Sequence, residues 1–126
     1  MILLDTCSLI WMLYQEQNLS DMASKIIAES DEVFISMASL WEIAIKQTIG
    51  KLKIIDSIPD IIRICEEENI SVLPIKPAHI EKTKTLPVIH RDPFDRLVIS
   101  QSICENMDLV TSDSKIKQYP EVNVIW

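Results

Sequence analysis

Five short apolar runs, "MILL" at 1–4, "VFIS" at 33–36, "SVLPI" at 71–75, "DLVTS" at 108–112 and "VNVIW" at 122–126, are separated by longer segments with helical spacing. The helical segments run from Leu9 to Glu29 with a break near Asn18 to Ser20, then Ser39 to Ile49, Ser57 to Asn69, Pro77 to Leu86 and Pro93 to Glu105, with a short turn near Ser114 to Gln118. That alternation predicts an α/β fold. Strands joined by helices pair in parallel, because each crossover returns the chain to the same edge, and helices then cover the sheet on both faces. A chain of 126 residues supports one core, so a single domain over residues 1–126 is expected.

Several function classes drop out on composition. The only glycine is Gly50, so neither a G-x-G-x-x-G dinucleotide motif nor a P-loop exists. Cys7, Cys65 and Cys104 show no CxxC or Cys/His ligand spacing, which argues against a disulfide framework and against zinc. The longest apolar stretch, Leu9 to Tyr14, falls far short of the roughly 20 residues of a membrane span, and "MILLD" has no basic leader region. A soluble, cytoplasmic protein without a membrane partner is expected. His79 and His90 belong to no ligand-like motif and read as surface or packing histidines. The net charge of -7 opposes a sequence-independent nucleic-acid coat, yet acids also gather where metal ions bind.

Four acids stand out by position. In an open α/β sheet, ligands bind beyond the carboxyl ends of strands. Asp5 closes the first strand and Asp113 comes after the fourth; Glu42 sits in "ASLWEIAIK" and Asp95 in "HRDPFDRLVISQS". Phe94, Leu97, Val98, Ile99 and Ile103 surround Asp95 on nearly the whole helical circumference, so its carboxylate needs a partner. Each acid also has a structural explanation. Asp5 is placed to cap the first helix and Asp113 the short terminal turn, Ser39-x-x-Glu42 has capping-box spacing, and Glu42 and Lys46 are an i, i+4 pair. Asp92, just before Pro93, is a helix cap by the same logic. By contrast, Ser57-x-x-Asp60 and Asp21 lie in ordinary amphipathic surroundings and are assigned to capping or solvent.

The stretches "LLDTCSLIW", "SMASLWEIAIKQTIGKL", "LPIKPAHIEKTKTLPVIHRDPFDRLVISQS" and "LVTSDSKIKQYPEVNVIW" together resemble the PIN domain, in the version carried by VapC-type toxins of bacterial toxin–antitoxin pairs. The resemblance implies a three-layer α/β/α sandwich with a mainly parallel sheet of about five strands. It also implies a metal-dependent endoribonuclease whose four family acids fall on Asp5, Glu42, Asp95 and Asp113. Asp5, Asp95 and Asp113 are then metal ligands, with Glu42 direct or through water. Thr6, Ser8, Asp92 and Thr111 are the neighbours expected to support them, Asp92 being either a cap or part of the metal site. Lys46, Lys51, Lys53, Arg91 and Arg96 flank the same motifs and are candidate RNA phosphate contacts. Cleavage leaving a 5′-phosphate and a 3′-hydroxyl, a small inhibitory antitoxin and a homodimer are further implications. For the dimer, the apolar helix faces around Leu9 to Tyr14 or Trp41 are available. Cys7 departs from the Asn, Ser or His common at that position in similar sequences, which puts any supporting role for it in doubt.

The chemistry suits the residue set. Two unit charges about 5 Å apart repel by roughly 3 kcal/mol at an effective dielectric near 20, so clustered carboxylates call for a cation. Oxygen-only ligation favours Mg²⁺ or Mn²⁺ over zinc. A receiver-like phosphoacceptor domain would want an Asp after the third strand, where the chain reads "LPIKPAH", and a D-x-D phosphatase fails because Asp5 is followed by Thr6 and Cys7. The remaining alternative is a non-catalytic PIN-like module that binds RNA or a partner.

Overall fold

The first strand, β1 (Ile2–Leu4), sorts its side chains by alternation: Ile2 and Leu4 enter one core and Leu3 enters a second. Both faces are therefore buried. The computed structural model describes residues 1–126. After β1 come α1 (Thr6–Tyr14), a 3₁₀ turn (Glu16–Asn18) and α2 (Asp21–Glu29), then β2 (Val33–Ser36) and α3 (Met37–Thr48). The chain continues through α4 (Ile58–Glu67), β3 (Ile70–Leu73), α5 (Pro77–Thr83), α6 (Pro93–Cys104), β4 (Asp108–Val110), a second 3₁₀ turn (Ile116–Gln118) and β5 (Val124–Ile125).

All strand pairs are parallel, in the order β3-β2-β1-β4-β5. From β1 the chain winds outward to β3 and then crosses back to pair β4 on the other side of β1. Reversing the winding direction while keeping right-handed crossovers sends the later helices to the opposite face. Leu9, Ala23, Leu40, Ile43, Ile61 and Cys65, from α1 to α4, accordingly pack on one side with Ile2, Leu4 and Ile35. Val98 and Ile99 of α6 pack on the other with Leu3, Leu109, Ile116 and Tyr119. The result is a three-layer α/β/α sandwich, as the resemblance implied. Truncating a fully buried residue such as Leu109 to Ala should cost about 2–5 kcal/mol.

Helix ends obey local chemistry. Ser20, Ser57 and Asp92 cap α2, α4 and α6 with side-chain oxygens. Gly50, Asn69 and Asn106 take positive φ (75°, 58° and 53°) just past α3, α4 and α6, which lets the last two helices turn at once into β3 and β4. One cap differs from expectation. Ser36, three residues earlier than Ser39, caps α3 by accepting the Ala38 amide at 3.0 Å. Ser39 lies inside the helix and accepts the Thr6 hydroxyl at 2.9 Å. Glu42 is therefore not the acid of a capping box. β2 spans its whole apolar run, whereas the other strands are shorter than theirs, β5 most of all, which pairs with β4 only at Val124 and Ile125. No helix is long and apolar enough to cross a membrane.

Candidate active site

The winding reverses between β1 and β4, and their carboxyl ends open the crevice where an α/β sheet takes its ligand. Asp5 comes directly after β1. Its Oδ1 accepts the Ser8 amide at 2.8 Å, capping α1, and its Oδ2 accepts the Thr111 hydroxyl at 2.5 Å. Capping and pocket membership thus coincide in one residue. The Thr111 oxygen in turn accepts the Asp113 amide at 3.1 Å, while the Ser8 hydroxyl donates to the Val110 carbonyl at 3.1 Å. Helix α1 and the end of β4 are locked together around the carboxylate.

Glu42 projects from α3 and is buried, with Oε2 accepting from Lys46 Nζ at 3.0 Å. Its Oε1 is buried without any hydrogen-bond partner. An unsatisfied buried carboxylate oxygen costs free energy comparable to a lost charged hydrogen bond, so the atom calls for a donor or a cation. Asp95, in the first turn of α6, has Oδ2 3.2 Å from His90 Nε2. Asp113 Oδ2 lies 2.8 Å from the same nitrogen, and its Oδ1 accepts the Lys115 amide at 2.8 Å. Nε2 of His90 and one oxygen each from Asp95 and Asp113 fall within 4.8 Å of one another.

The electrostatics record the crowding. Burial, then the charge of Asp92, raises Asp95 to about 7; His90 opposes this, while Glu42 and Asp5 add to it. Burial also raises Asp5 despite its bonds from Thr111 and Ser8, and Asp113 pushes the same way. Asp113 moves in the other direction: burial raises it, but the hydrogen bonds from His90 and from the Lys115 amide outweigh burial and hold it below the usual carboxylate range. Partial burial pulls Lys46 down, but its bond and charge contact with Glu42 prevail, and Asp92 and Asp95 help hold it raised.

All four selected acids thus act on one another's charge at one end of the sheet, and of the four, Asp95 and Asp113 form with His90 the cluster close enough to share an ion. The supporting residues divide. Thr111 and the Ser8 amide touch Asp5, Thr6 ties α1 to Ser39, and Asp92 accepts the Phe94 and Asp95 amides at 2.8 and 3.3 Å as the cap of α6. Among the basic candidates, Arg91, Lys51 and Lys53 are exposed. Arg96 is folded inward, donating to the carbonyls of Thr83, Leu86, Pro87 and His90 at 2.9 to 3.4 Å. Cys7 is exposed beside the acids, and burial of its sulfur with the charge of Asp5 pushes the thiol up to about 11. Trp41, 64% exposed, meets Phe94 edge-on at 5.3 Å and bridges α3 and α6 next to the pocket.

His90 is the residue that sequence reasoning missed. Both histidines are buried, as packing histidines would be, but the His90 ring contacts two of the four acids. Its only signal in the sequence is its place two residues before the cap of α6.

Residues 2–122 match the PIN domain family over nearly the whole chain. The chain belongs to the PIN domain family. Solved structures with the same fold include one described as VapBC2 from Rickettsia felis bound to a DNA fragment from their promoter, at TM-score 0.72 and 19% identity over 98% of this chain and 97% of that one. FitAcB from Neisseria gonorrhoeae aligns at TM-score 0.66 and 14% identity, covering 98% and 96%. VapC20 of Mycobacterium tuberculosis, described as a sarcin-ricin loop cleaving toxin, aligns at 0.63 and 13%, covering 98% and 99%. At such identities the likeness is one of fold. No curated protein sequence matches the chain.

Proposed function

We propose that this PIN domain, spanning residues 1–126, is a Mg²⁺- or Mn²⁺-dependent endoribonuclease and acts as the toxin of a toxin–antitoxin pair. The observation that carries the reading is the buried, unpartnered Oε1 of Glu42, set beside three further carboxylates at the carboxyl edge of the sheet. A hard divalent cation suits this donor set. Asp5, Asp95 and Asp113 would hold it, with Glu42 direct or through water, and when bound it would supply charge neutralisation and activation of water at the scissile phosphate.

The chain's own residues do the rest. Thr111 orients Asp5 and, through the amide it accepts, Asp113. Lys46 keeps the Glu42 side chain in place without closing the pocket, its own side chain being 42% exposed. The exposure of Arg91 and the partial exposure of Lys46 support a part for both in contacting RNA phosphates, and a 5′-phosphate and 3′-hydroxyl are the expected ends.

Fold neighbours crystallised as toxin–antitoxin complexes, several of them on DNA, support a cognate antitoxin. The acidic pocket suits an inhibitor that places an Arg or Lys among its carboxylates. A cytoplasmic location accords with the RNA substrate. The exposed apolar residues Met37, Trp41, Ile45 and Ile49, at one-turn spacing on α3 and just beyond it, support a homodimer. Cleavage-site mapping on total cellular RNA, with Mg²⁺, Mn²⁺ or chelator, tests the activity. Identical fragment patterns with metal and with chelator would refute it.

A further inference from the structure

We propose that His90 is a positioning residue of the pocket: the backbone holds its Nδ1 as an acceptor, so that Nε2–H donates to Asp113 and Asp95 and remains a donor when a divalent cation binds. The inference rests on reading the pocket as a divalent-metal site. On distance alone the opposite assignment is attractive, since His90 Nε2 and the oxygens of Asp95 and Asp113 lie close enough to share an ion. Ligation by imidazole, however, requires a free lone pair on the ligating nitrogen and a proton on the other.

The backbone decides which nitrogen carries the proton. Nδ1 of His90 accepts the Asp92 amide at 3.2 Å, so its lone pair is occupied. With Nδ1 accepting, the ring hydrogen sits on Nε2, which faces Asp113 Oδ2 at 2.8 Å and Asp95 Oδ2 at 3.2 Å. Moving the proton to Nδ1 would set two N–H groups head to head. The Asp92 amide cannot easily turn away, because Asp92 caps α6 through the Phe94 and Asp95 amides.

His90 itself is held at both ends. Its amide donates to the Tyr119 hydroxyl at 2.8 Å, its carbonyl accepts from Arg96 at 3.2 Å, and Tyr119 donates onward to Pro87. The side chain is only 11% exposed. Flipping the ring would place carbon where each nitrogen now bonds. The loop from Pro87 to Asp92, the guanidinium of Arg96 and the phenol of Tyr119 thus form a frame that points one N–H at two carboxylates from different elements.

Nitrogen-15 spectra of the full-length protein read the tautomer directly, with the His90 signals assigned by their loss in His90→Gln. In chelator and in saturating Mg²⁺ alike, Nδ1 should be unprotonated and Nε2 protonated. A proton on Nδ1 with an unprotonated Nε2 in Mg²⁺ would make His90 a ligand and overturn the proposal; so would a doubly protonated ring in chelator. Calorimetric Mn²⁺ binding supplies the second reading. His90→Gln, which keeps an amide donor at that height, should bind within about threefold of wild type, and His90→Leu about tenfold more weakly. Equal loss in both overturns the donor role. Neither measurement uses RNA cleavage, so a failure of nuclease activity is scored separately.

Discussion

Asp5 and Thr111 stand 106 positions apart in the chain, and the hydroxyl of one donates to the carboxylate of the other at the boundary of β1 and β4. Thr111→Val keeps the shape of the side chain but removes the donor from a buried carboxylate. Thermal melts should show a loss of about 1–3 kcal/mol. RNA cleavage by the same variant should fall about tenfold, since Asp5 and Asp113 both lose an orienting contact. Unchanged stability would mean that Asp5 is satisfied elsewhere.

Asp95 makes stability depend on pH in an unusual direction. Its folded-state value of about 7 lies above the ordinary 3.8, so between those values the folded protein holds a proton that the unfolded chain releases. Stability of the metal-free protein should therefore fall as pH rises through that window. Asp5 is raised and acts in the same sense. Asp113 and Glu105 are lowered, so their contribution is present at higher pH and is lost only below their ordinary range. Melts in chelator should show this decline for wild type and a flatter profile for Asp95→Asn.

Divalent cation should remove the repulsion behind that decline. At 100 times its dissociation constant, Mg²⁺ should stabilise wild type by about 2.7 kcal/mol and Asp95→Asn by clearly less. A capping role for Asp95 would give a different pattern, with Asp95→Ala losing roughly 1 kcal/mol in either buffer.

Arg96 and Arg91 are near neighbours with opposite expected behaviour. Arg96 holds three carbonyls of the loop before α6 and the Thr83 carbonyl at the end of α5, so Arg96→Ala should lower stability by about 2–3 kcal/mol. Arg91→Ala should leave the melt unchanged and raise KM for RNA, with a shallower salt dependence. A stable Arg96→Ala with weakened RNA binding would return Arg96 to the phosphate contacts.

Cys7 should be dispensable. With its thiol near 11 it is neither a nucleophile nor a ligand at neutral pH, so Cys7→Ser should keep cleavage within about twofold of wild type. Loss of activity on this substitution would contradict the all-carboxylate reading.

The layer order and the positions of the four acids were legible because they depend on local signals: apolar runs of strand length, helical spacing, and acids just past strands, as Asp5 and Asp113 are, or in the opening turns of helices, as Glu42 and Asp95 are. The features that escaped depend on tertiary placement. Ser36 and Ser39 both carry a hydroxyl near the start of α3, and only the packing of Thr6 against Ser39 tells the cap from the interhelical contact. Arg96 reads as a surface cation until the preceding loop folds over it. Similarly, His90 has no ligand-like spacing because its partners arrive from α6 and from the segment after β4, 23 residues away in the case of Asp113.

The central claim is that Asp5, Glu42, Asp95 and Asp113 act together in metal-dependent RNA cleavage. The most direct measurement is the initial rate of cleavage of the mapped RNA by wild type, Asp5→Asn and Asp95→Asn, each titrated with Mn²⁺ from chelated buffer. Wild type should depend on the metal, and both variants should lose at least about a hundredfold in rate while remaining folded. Cleavage that persists in chelator, or that both variants carry out at the wild-type rate, would contradict the account.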